Sequence, residues 1–123
     1  MSTNNISPEK LTNPRFLARI AIFSGPSQSD LVTDYSINIS TGGVFIETTK
    51  ILPEDTAVIV KFCLPDADTL IVTRARVAWT NEPGTFKKAS LPPGMGLQFL
   101  DLSLEDMHAI RTCLDRGKFV PTW

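Results

Sequence analysis

The 123-residue chain has little of what enzyme active sites and membrane anchors usually require. It contains one histidine and two cysteines, and the cysteines lack the spacing of a metal or redox motif. No apolar run approaches the roughly 18 residues of a membrane-spanning helix, and the first 13 residues lack the apolar core of a secretion signal. The formal net charge of −1 argues against binding DNA, RNA or a membrane surface. These absences favour a cytoplasmic protein without membrane insertion.

The candidate catalytic groups also lack partners. His108, the single histidine, is expected on the exposed face of a helix. No histidine or lysine lies close enough to Ser40 in the sequence to activate its hydroxyl. Cys63 and Cys113 are expected to be buried thiols of a reducing compartment rather than a disulfide. We therefore predict that the chain is not an enzyme and that it holds no metal and no cofactor.

Alternation of apolar and polar residues predicts six strands, and a change of period predicts a C-terminal helix. Consecutive strands without intervening helices pair antiparallel, and closure into a barrel removes their exposed edges. We predict a mainly β domain at 14–118, a six-stranded antiparallel β-barrel with a C-terminal α-helix, between flexible tails at 1–13 and 119–123. The predicted strands lie near 19–24, 31–38, 44–46, 57–64, 69–80 and 95–100.

Ser103 is predicted to be the N-cap of this helix, and Gly117 is predicted to end it. Between them, the predicted stripe that packs on the barrel consists of Leu104, Met107, Ile110 and Leu114. In the strand at 69–80, parity places Trp79 inward with Ile71 and Val77, and Arg74 and Arg76 outward. The loop at 81–93, with Phe86, Lys87 and Lys88, is expected to be solvated.

The stretch at 35–48 is predicted to form two strands joined by a tight corner. Ser40 and Thr41 can cap backbone groups, and the adjacent Gly42 and Gly43 permit a sharp turn. The same atoms could form a site, because paired glycines let a ligand approach the backbone and its N–H groups bind anions. Asn38 and Ser40, two apart on one strand, project to the same face beside this corner. A structural corner and a binding site are both open on these residues alone.

The preceding hairpin brings two arginines to this corner. Its turn is centred near residues 27–28, so antiparallel partners have numbers that add up to about 55. Asn38 then lies opposite Leu17, midway between Arg15 and Arg19. The arginine fork bonds phosphate or the O6/N7 edge of guanine, and its plane stacks on bases. The pattern predicts a phosphorylated purine ligand.

These residues resemble a known two-part signature. Arg15-x-x-x-Arg19 followed by Asn38-x-Ser40-x-x-Gly43 is similar to the motifs of PilZ domains, bacterial receptors for the second messenger cyclic di-GMP. The stretch at 93–103 also resembles the family, so the similarity extends from about residue 13 to the C-terminal helix. The resemblance implies a six-stranded antiparallel barrel with a C-terminal helix.

The resemblance also implies a role for each matching residue. Arg15 and Arg19 would lie on an N-terminal segment that folds over cyclic di-GMP and contacts guanine and phosphate. Asn38 would read a guanine edge, Ser40 would contact the polar backbone of the ligand, and Gly43 would leave room for it. Family members carry Asp or Asn at the Asn38 position. A carboxylate accepts from guanine N1–H and N2–H together, whereas Asn offers one acceptor and a donor amide.

The implied mechanism is non-catalytic. Cyclic di-GMP would order the segment through Arg19 against the barrel corner, and an unidentified partner protein would read the resulting surface. The alternative is a PilZ-type adaptor that contacts proteins but binds no nucleotide. The presence of both arginines favours nucleotide binding.

Overall fold

Strands are the main regular structure of the described residues. The computed structural model describes residues 14–65, 69–117 and 119–121, and the tail predicted at 1–13 lies outside them. Within these residues one helix is present, α1 (Leu104–Arg116). The strands are β1 (Phe16–Leu17), β2 (Ala21–Ser27), β3 (Asp30–Ile39), β4 (Gly43–Glu47), β5 (Ala57–Cys63), β6 (Leu70–Asn81), β7 (Gly94–Phe99) and β8 (Val120–Pro121).

Six of these strands close into a ring. Their order around it is β2, β5, β6, β7, β4, β3, and β3 pairs back with β2. Every pairing in the ring is antiparallel. The predicted mainly β fold, with six antiparallel strands and a C-terminal helix, is confirmed. Outside the ring, β1 pairs with the end of β3, and β8 pairs with β1. Residues 119–123 were expected to be a tail, and Val120 and Pro121 instead form β8.

The core follows from strand periodicity. In β5, Val58, Val60 and Phe62 are buried, while the residues between them are at least partly exposed. Side chains on alternate positions of the other ring strands fill the same interior. The helix adds Ile110, Cys113 and Leu114 to this cluster, so it packs on the ring as predicted.

The predicted hairpin register is confirmed where it matters for the site. Leu17 pairs with Asn38, and Phe16 pairs with Ile39. The segment through Arg19 was expected to be ordered mainly by a ligand, but this pairing already attaches β1 to β3. Backbone hydrogen bonding, which needs no particular side chain, supplies that attachment.

Ser36 holds the irregular segment between β1 and β2. Its Oγ accepts a hydrogen bond from the backbone N–H of Ile20 at 2.9 Å and donates one to the carbonyl of Ala18. Its backbone N–H donates to the carbonyl of Ile20, also at 2.9 Å. Arg19 lies between the two residues that Ser36 contacts, and its side chain is exposed.

Three details of the sequence interpretation were wrong. The predicted turn at 25–30 is shorter, because β2 continues through Ser27 past an irregularity after Ser24. Cys63 is exposed, because it occupies an outward position at the end of β5. Leu104 is 82% exposed, because it opens the helix before the stripe reaches the ring.

The helix ends are formed by Ser103 and Gly117, as predicted. Ser103 Oγ accepts a hydrogen bond from the backbone N–H of Asp106 at 3.0 Å. Gly117 has an extended backbone, with φ −74°, so a left-handed conformation is not the reason for a glycine there. A Cβ at Gly117 would collide with the ring of Phe119, which packs against the core.

Replacing the N-cap should therefore weaken the fold measurably. We expect Ser103→Ala to lower the free energy of unfolding by about 1 kcal/mol, because it leaves a first-turn N–H without its acceptor. The midpoint of urea unfolding measures this change. Ser29→Ala, in an exposed turn where the hydroxyl contacts that of Ser27, is the matched control and should have little effect. Equal midpoints for both variants would contradict the capping role.

Candidate ligand-binding site

The corner between β3 and β4 is closed by Ser40. Its backbone N–H donates to the carbonyl of Gly43 at 2.9 Å. Its Oγ accepts from the backbone N–H groups of Gly42 and Gly43 at 3.0 and 3.2 Å. Ser40 is fully buried, so its hydroxyl holds the turn. A direct contact between Ser40 and a ligand stays a prediction.

Gly43 has a packing requirement of its own. A Cβ at this position would collide with the backbone carbonyl oxygen of Leu97 on β7. The space between β4 and β7 therefore admits only glycine. Clearance for a ligand, the predicted reason for this glycine, is not needed to explain it.

Arg15 lies against the corner. Its Nε donates to Asn38 Oδ1 at 2.6 Å, and its Nη1 donates to Ser40 Oγ at 3.4 Å. The β1–β3 register produces this contact, since Leu17 is paired with Asn38. The structure thus brings together Arg15, Asn38 and Ser40, three of the five predicted site residues, with Gly43 in the same turn.

Arg19 lies further along the same pair of strands. Its guanidinium carbon is 4.7 Å from the centre of the Tyr35 ring, and its Nη1 is 3.9 Å from Glu47 Oε1. Tyr35 and Glu47 are directly paired across β3 and β4. The two arginines therefore contact different parts of the surface.

Two glycines of β7 create a depression beside the corner. A Cβ at Gly96 would collide with the indole of Trp79, and a Cβ at Gly94 would collide first with the backbone carbonyl oxygen of Ile46 and then with the ring of Phe45. Phe45 and Trp79 stack above this part of β7, with ring centroids 5.1 Å apart. Phe45 is buried, whereas Trp79 is partly exposed and provides an aromatic surface.

The inward position predicted for Trp79 was wrong. A register shift between Val77 and Trp79 in the β6–β7 ladder changes the alternation, so Val77 faces the core and Trp79 faces outward. An irregularity of this kind inserts an extra residue and reverses the side on which later side chains lie. Gly96, where a Cβ would collide with the indole, was the available signal that an aromatic side chain crosses β7.

A groove of about 610 Å³ joins these features. Arg15, Leu17 and Asn38 form one side, and the partly exposed Trp79 contributes aromatic surface next to the buried Phe45. The other side belongs to the loop between β6 and β7, which was expected to be only solvated. Its groove-lining residues are Lys87, Lys88, Ser90 and Leu91.

The groove is electrostatically suited to an anion. Among the described residues that line it, three are cationic and none is acidic. A second cavity, of about 300 Å³, lies beside Arg19 and contains Asp34 and Glu47. Burial raises the pKa of Asp34, and its contacts with Thr48 and Lys50 oppose that shift. Because Asp34 and Glu47 line it, the second cavity suits a phosphate less well than the groove does.

The outward arginines of β6 are engaged elsewhere. Arg74 pairs with Asp101, and this hydrogen bond holds the pKa of Asp101 below its ordinary value. Arg76 Nη1 lies 2.6 Å from Asp55 Oδ1, and its Nε donates to Gln98 at 2.8 Å. Neither arginine lines the groove.

Neither a cluster of metal ligands nor a membrane-spanning helix is present among the described residues. In that part of the chain, no three His, Cys, Asp or Glu side chains come close enough together to hold a metal ion. Over the same residues, no helix combines the length and apolar character needed to cross a membrane.

A model of the PilZ domain family matches residues 11–116. The chain belongs to the PilZ domain family. This PilZ domain resembles the inhibitor of motility MotI/DgrA of Bacillus subtilis, with a TM-score of 0.67 and 19% identity over 85% of this chain and 50% of that one. The similarity therefore spans only half of the MotI/DgrA chain. No curated protein sequence gives a match.

Two isolated PilZ domains are also similar. The PilZ domain of Escherichia coli YcgR, solved with c-di-GMP, has a TM-score of 0.60 and 14% identity, covering 81% of this chain and 85% of that one. The PilZ domain of CeSA from a cellulose synthesizing bacterium has a TM-score of 0.53 and 19% identity, covering 82% and 95%. At these identities the likeness concerns the fold.

Proposed function

We propose that this PilZ domain is a non-enzymatic receptor for cyclic di-GMP, which binds in the groove and changes a surface read by a partner protein. One observation carries the proposal: Asn38 and Ser40 hold Arg15 at the edge of a cationic groove that is also lined by the partly exposed indole of Trp79. The groove volume, about 610 Å³, falls within the usual range for small-molecule sites. The YcgR PilZ domain, solved with c-di-GMP, supports the same ligand class.

The chemistry of the groove matches both parts of the nucleotide. Arginine and lysine donate charge-assisted hydrogen bonds to phosphate oxygens, and the planar arginine fork can bond a phosphate bidentately. The partly exposed indole of Trp79 offers a surface on which a guanine base could stack, an interaction worth about 1–3 kcal/mol per base. Phosphate and base recognition therefore lie within one groove.

Asn38 would read guanine by its amide N–H group. Arginine can only donate, so the contact at 2.6 Å assigns Oδ1 of Asn38 as the acceptor for Arg15. The Nδ2 group is then the one available to a base, and it is a donor. Guanine O6 and N7 are acceptors, so Asn38 would bond that edge rather than the N1–H and N2–H groups that a carboxylate would take.

Signalling would follow from the position of the groove. A bound nucleotide would contact β1 on one side and the β6–β7 loop on the other, and so fix their relative position. The partner protein would recognise this combined surface. The chain would then act by association.

Calorimetric titration tests the receptor function, with cyclic di-AMP as the matched ligand. Cyclic di-GMP should bind saturably. Cyclic di-AMP has the same phosphates but carries a donor N6 group where guanine has O6, so it should bind at least about tenfold more weakly. Absence of heat with cyclic di-GMP at several temperatures would contradict the proposal, and the nucleotide-free adaptor would become the leading function.

Arg19 would have to leave Glu47 to reach the nucleotide. This ion pair is long and solvent-exposed, so breaking it requires little free energy. We expect Glu47→Gln, which removes the pair, to strengthen cyclic di-GMP binding about twofold to threefold. Glu105→Gln, on the exposed start of α1, is the control and should leave the affinity unchanged. Weaker binding by Glu47→Gln would show that Glu47 supports the site instead of competing for Arg19.

A further inference from the structure

The loop at 82–93 lines the groove although it contains no helix or strand. Its residues up to Ser90 are exposed, so little apolar burial holds them in place. A loop of this kind samples many conformations unless specific contacts restrict it. The contacts that restrict this loop therefore decide where its cations lie.

Asn81, the last residue of β6, supplies those contacts. Its Nδ2 group lies 3.0, 3.2 and 3.1 Å from the backbone carbonyl oxygens of Lys88, Leu91 and Pro92. Its Oδ1 accepts from the backbone N–H of Lys88 at 2.9 Å. Asn81 is fully buried, so these bonds form away from competing water. One side chain thus fixes both the middle and the end of the loop.

The two loop lysines differ in their charge environment. Lys87 Nζ lies 3.0 Å from Glu54 Oε2, which partly neutralises it. The ammonium group of Lys88 has no ion-pair partner among the described residues, and Asn81 holds the backbone of Lys88 on both sides. Lys88 and Arg15 both line the groove, and the elements that carry them, the β6–β7 loop and the segment before β1, are separated by β4 and β3 in the strand order.

We propose that Asn81 is a positioning residue that holds the 82–93 loop so that Lys88 bonds a phosphate of the nucleotide across the groove from Arg15. This inference rests on the proposed cyclic di-GMP function and adds a second cationic side to the site. Lysine suits the role because its ammonium is a compact charge that needs only approximate alignment with a phosphate.

The first test is the affinity of Lys88→Gln for cyclic di-GMP at several salt concentrations. Removing one charge-assisted contact should weaken binding about tenfold and make the affinity less dependent on salt. Lys61→Gln is the charge-matched control, because Lys61 lies on β5 opposite Phe23 and Val72, outside the groove. Wild-type affinity and salt dependence in Lys88→Gln would overturn the proposal.

The second test separates positioning from general support of the fold. Asn81→Ala and Asn81→Asp should each weaken cyclic di-GMP binding about tenfold. Adding Lys88→Gln to either variant should weaken binding little further, because the lysine is already misplaced. Asn81→Asp keeps the size of the side chain and the oxygen that accepts from the Lys88 N–H. It therefore replaces Asn81→Ala in the binding measurement if Asn81→Ala does not fold. If the loss of affinity in the double variant equals the product of the losses in the two single variants, Asn81 does not act by positioning Lys88.

The outcomes distinguish this inference from the function on which it rests. If the wild-type protein binds and Arg15→Ala weakens binding while the Asn81 and Lys88 variants bind normally, only the loop proposal is overturned. If the wild-type protein binds no cyclic di-GMP, both proposals are overturned.

Discussion

Arg15→Ala should weaken cyclic di-GMP binding about a hundredfold, since it removes charge-assisted hydrogen bonds of roughly 1.5–3 kcal/mol each. Two losses contribute. The ligand loses a bidentate cation, and Asn38 loses the donor that fixes its amide orientation. The stability of the fold should change little, because β1 remains attached to β3 by backbone pairing. Calorimetric titration gives the affinity, and urea unfolding gives the stability.

Two further variants sharpen this prediction. Arg15→Lys keeps the charge but loses the planar fork, so its affinity should lie between those of the wild-type protein and Arg15→Ala. Arg111→Ala, on the exposed surface of α1 and outside the groove, should bind normally. If Arg15→Ala and the wild-type protein bind cyclic di-GMP with equal affinity, Arg15 does not contribute to the binding site.

Gly43→Ala should destabilise the fold by about 3 kcal/mol, at the upper end of what an added methyl group usually costs in a packed site. The new Cβ would meet the backbone oxygen of Leu97, which cannot move without separating β4 from β7. The urea midpoint should fall accordingly. This prediction distinguishes packing from ligand clearance, because a glycine kept only for a ligand could be replaced without loss of stability.

Gly84→Ala is the comparison. A Cβ at Gly84 would meet no atom within 4 Å, but its φ of +88° is unfavourable for alanine. We expect a cost of about 1 kcal/mol from the backbone alone. A similar loss in both variants would show that contact with Leu97 contributes little at Gly43. Normal stability of Gly43→Ala together with lost binding would support the ligand-clearance role.

The parts of the fold that the sequence could predict depend on local periodicity. Apolar residues at alternate positions indicated the strands, and those of β5, Val58, Val60 and Phe62, are buried in the structure. A turn predicted near residues 27–28 gave the register closely enough to place Leu17 opposite Asn38, although the observed turn is at 28–29. That register in turn placed Arg15 beside the corner, so half of the candidate site followed from spacing and turn chemistry.

The other half depended on irregularities that periodicity does not contain. The register shift before Trp79 turned its indole outward, and only the neighbouring ladder with β7 reveals the shift. Lys88 lies at the groove because Asn81 bonds its backbone from seven positions away. Arg19 was expected to flank the corner together with Arg15, but the irregular segment held by Ser36 places it against Tyr35 and Glu47. None of these contacts follows from residue type and spacing alone.

The most direct test of the account is an amide chemical-shift titration of the ¹⁵N-labelled full chain with cyclic di-GMP. It reports both whether the nucleotide binds and where. We predict shifts in β1, in the corner at 38–43, in residues 87–91 and at the indole N–H of Trp79, with β5 and the exposed face of α1 unchanged. No shifts, or shifts confined to the cavity beside Arg19 and Asp34, would contradict the proposed groove.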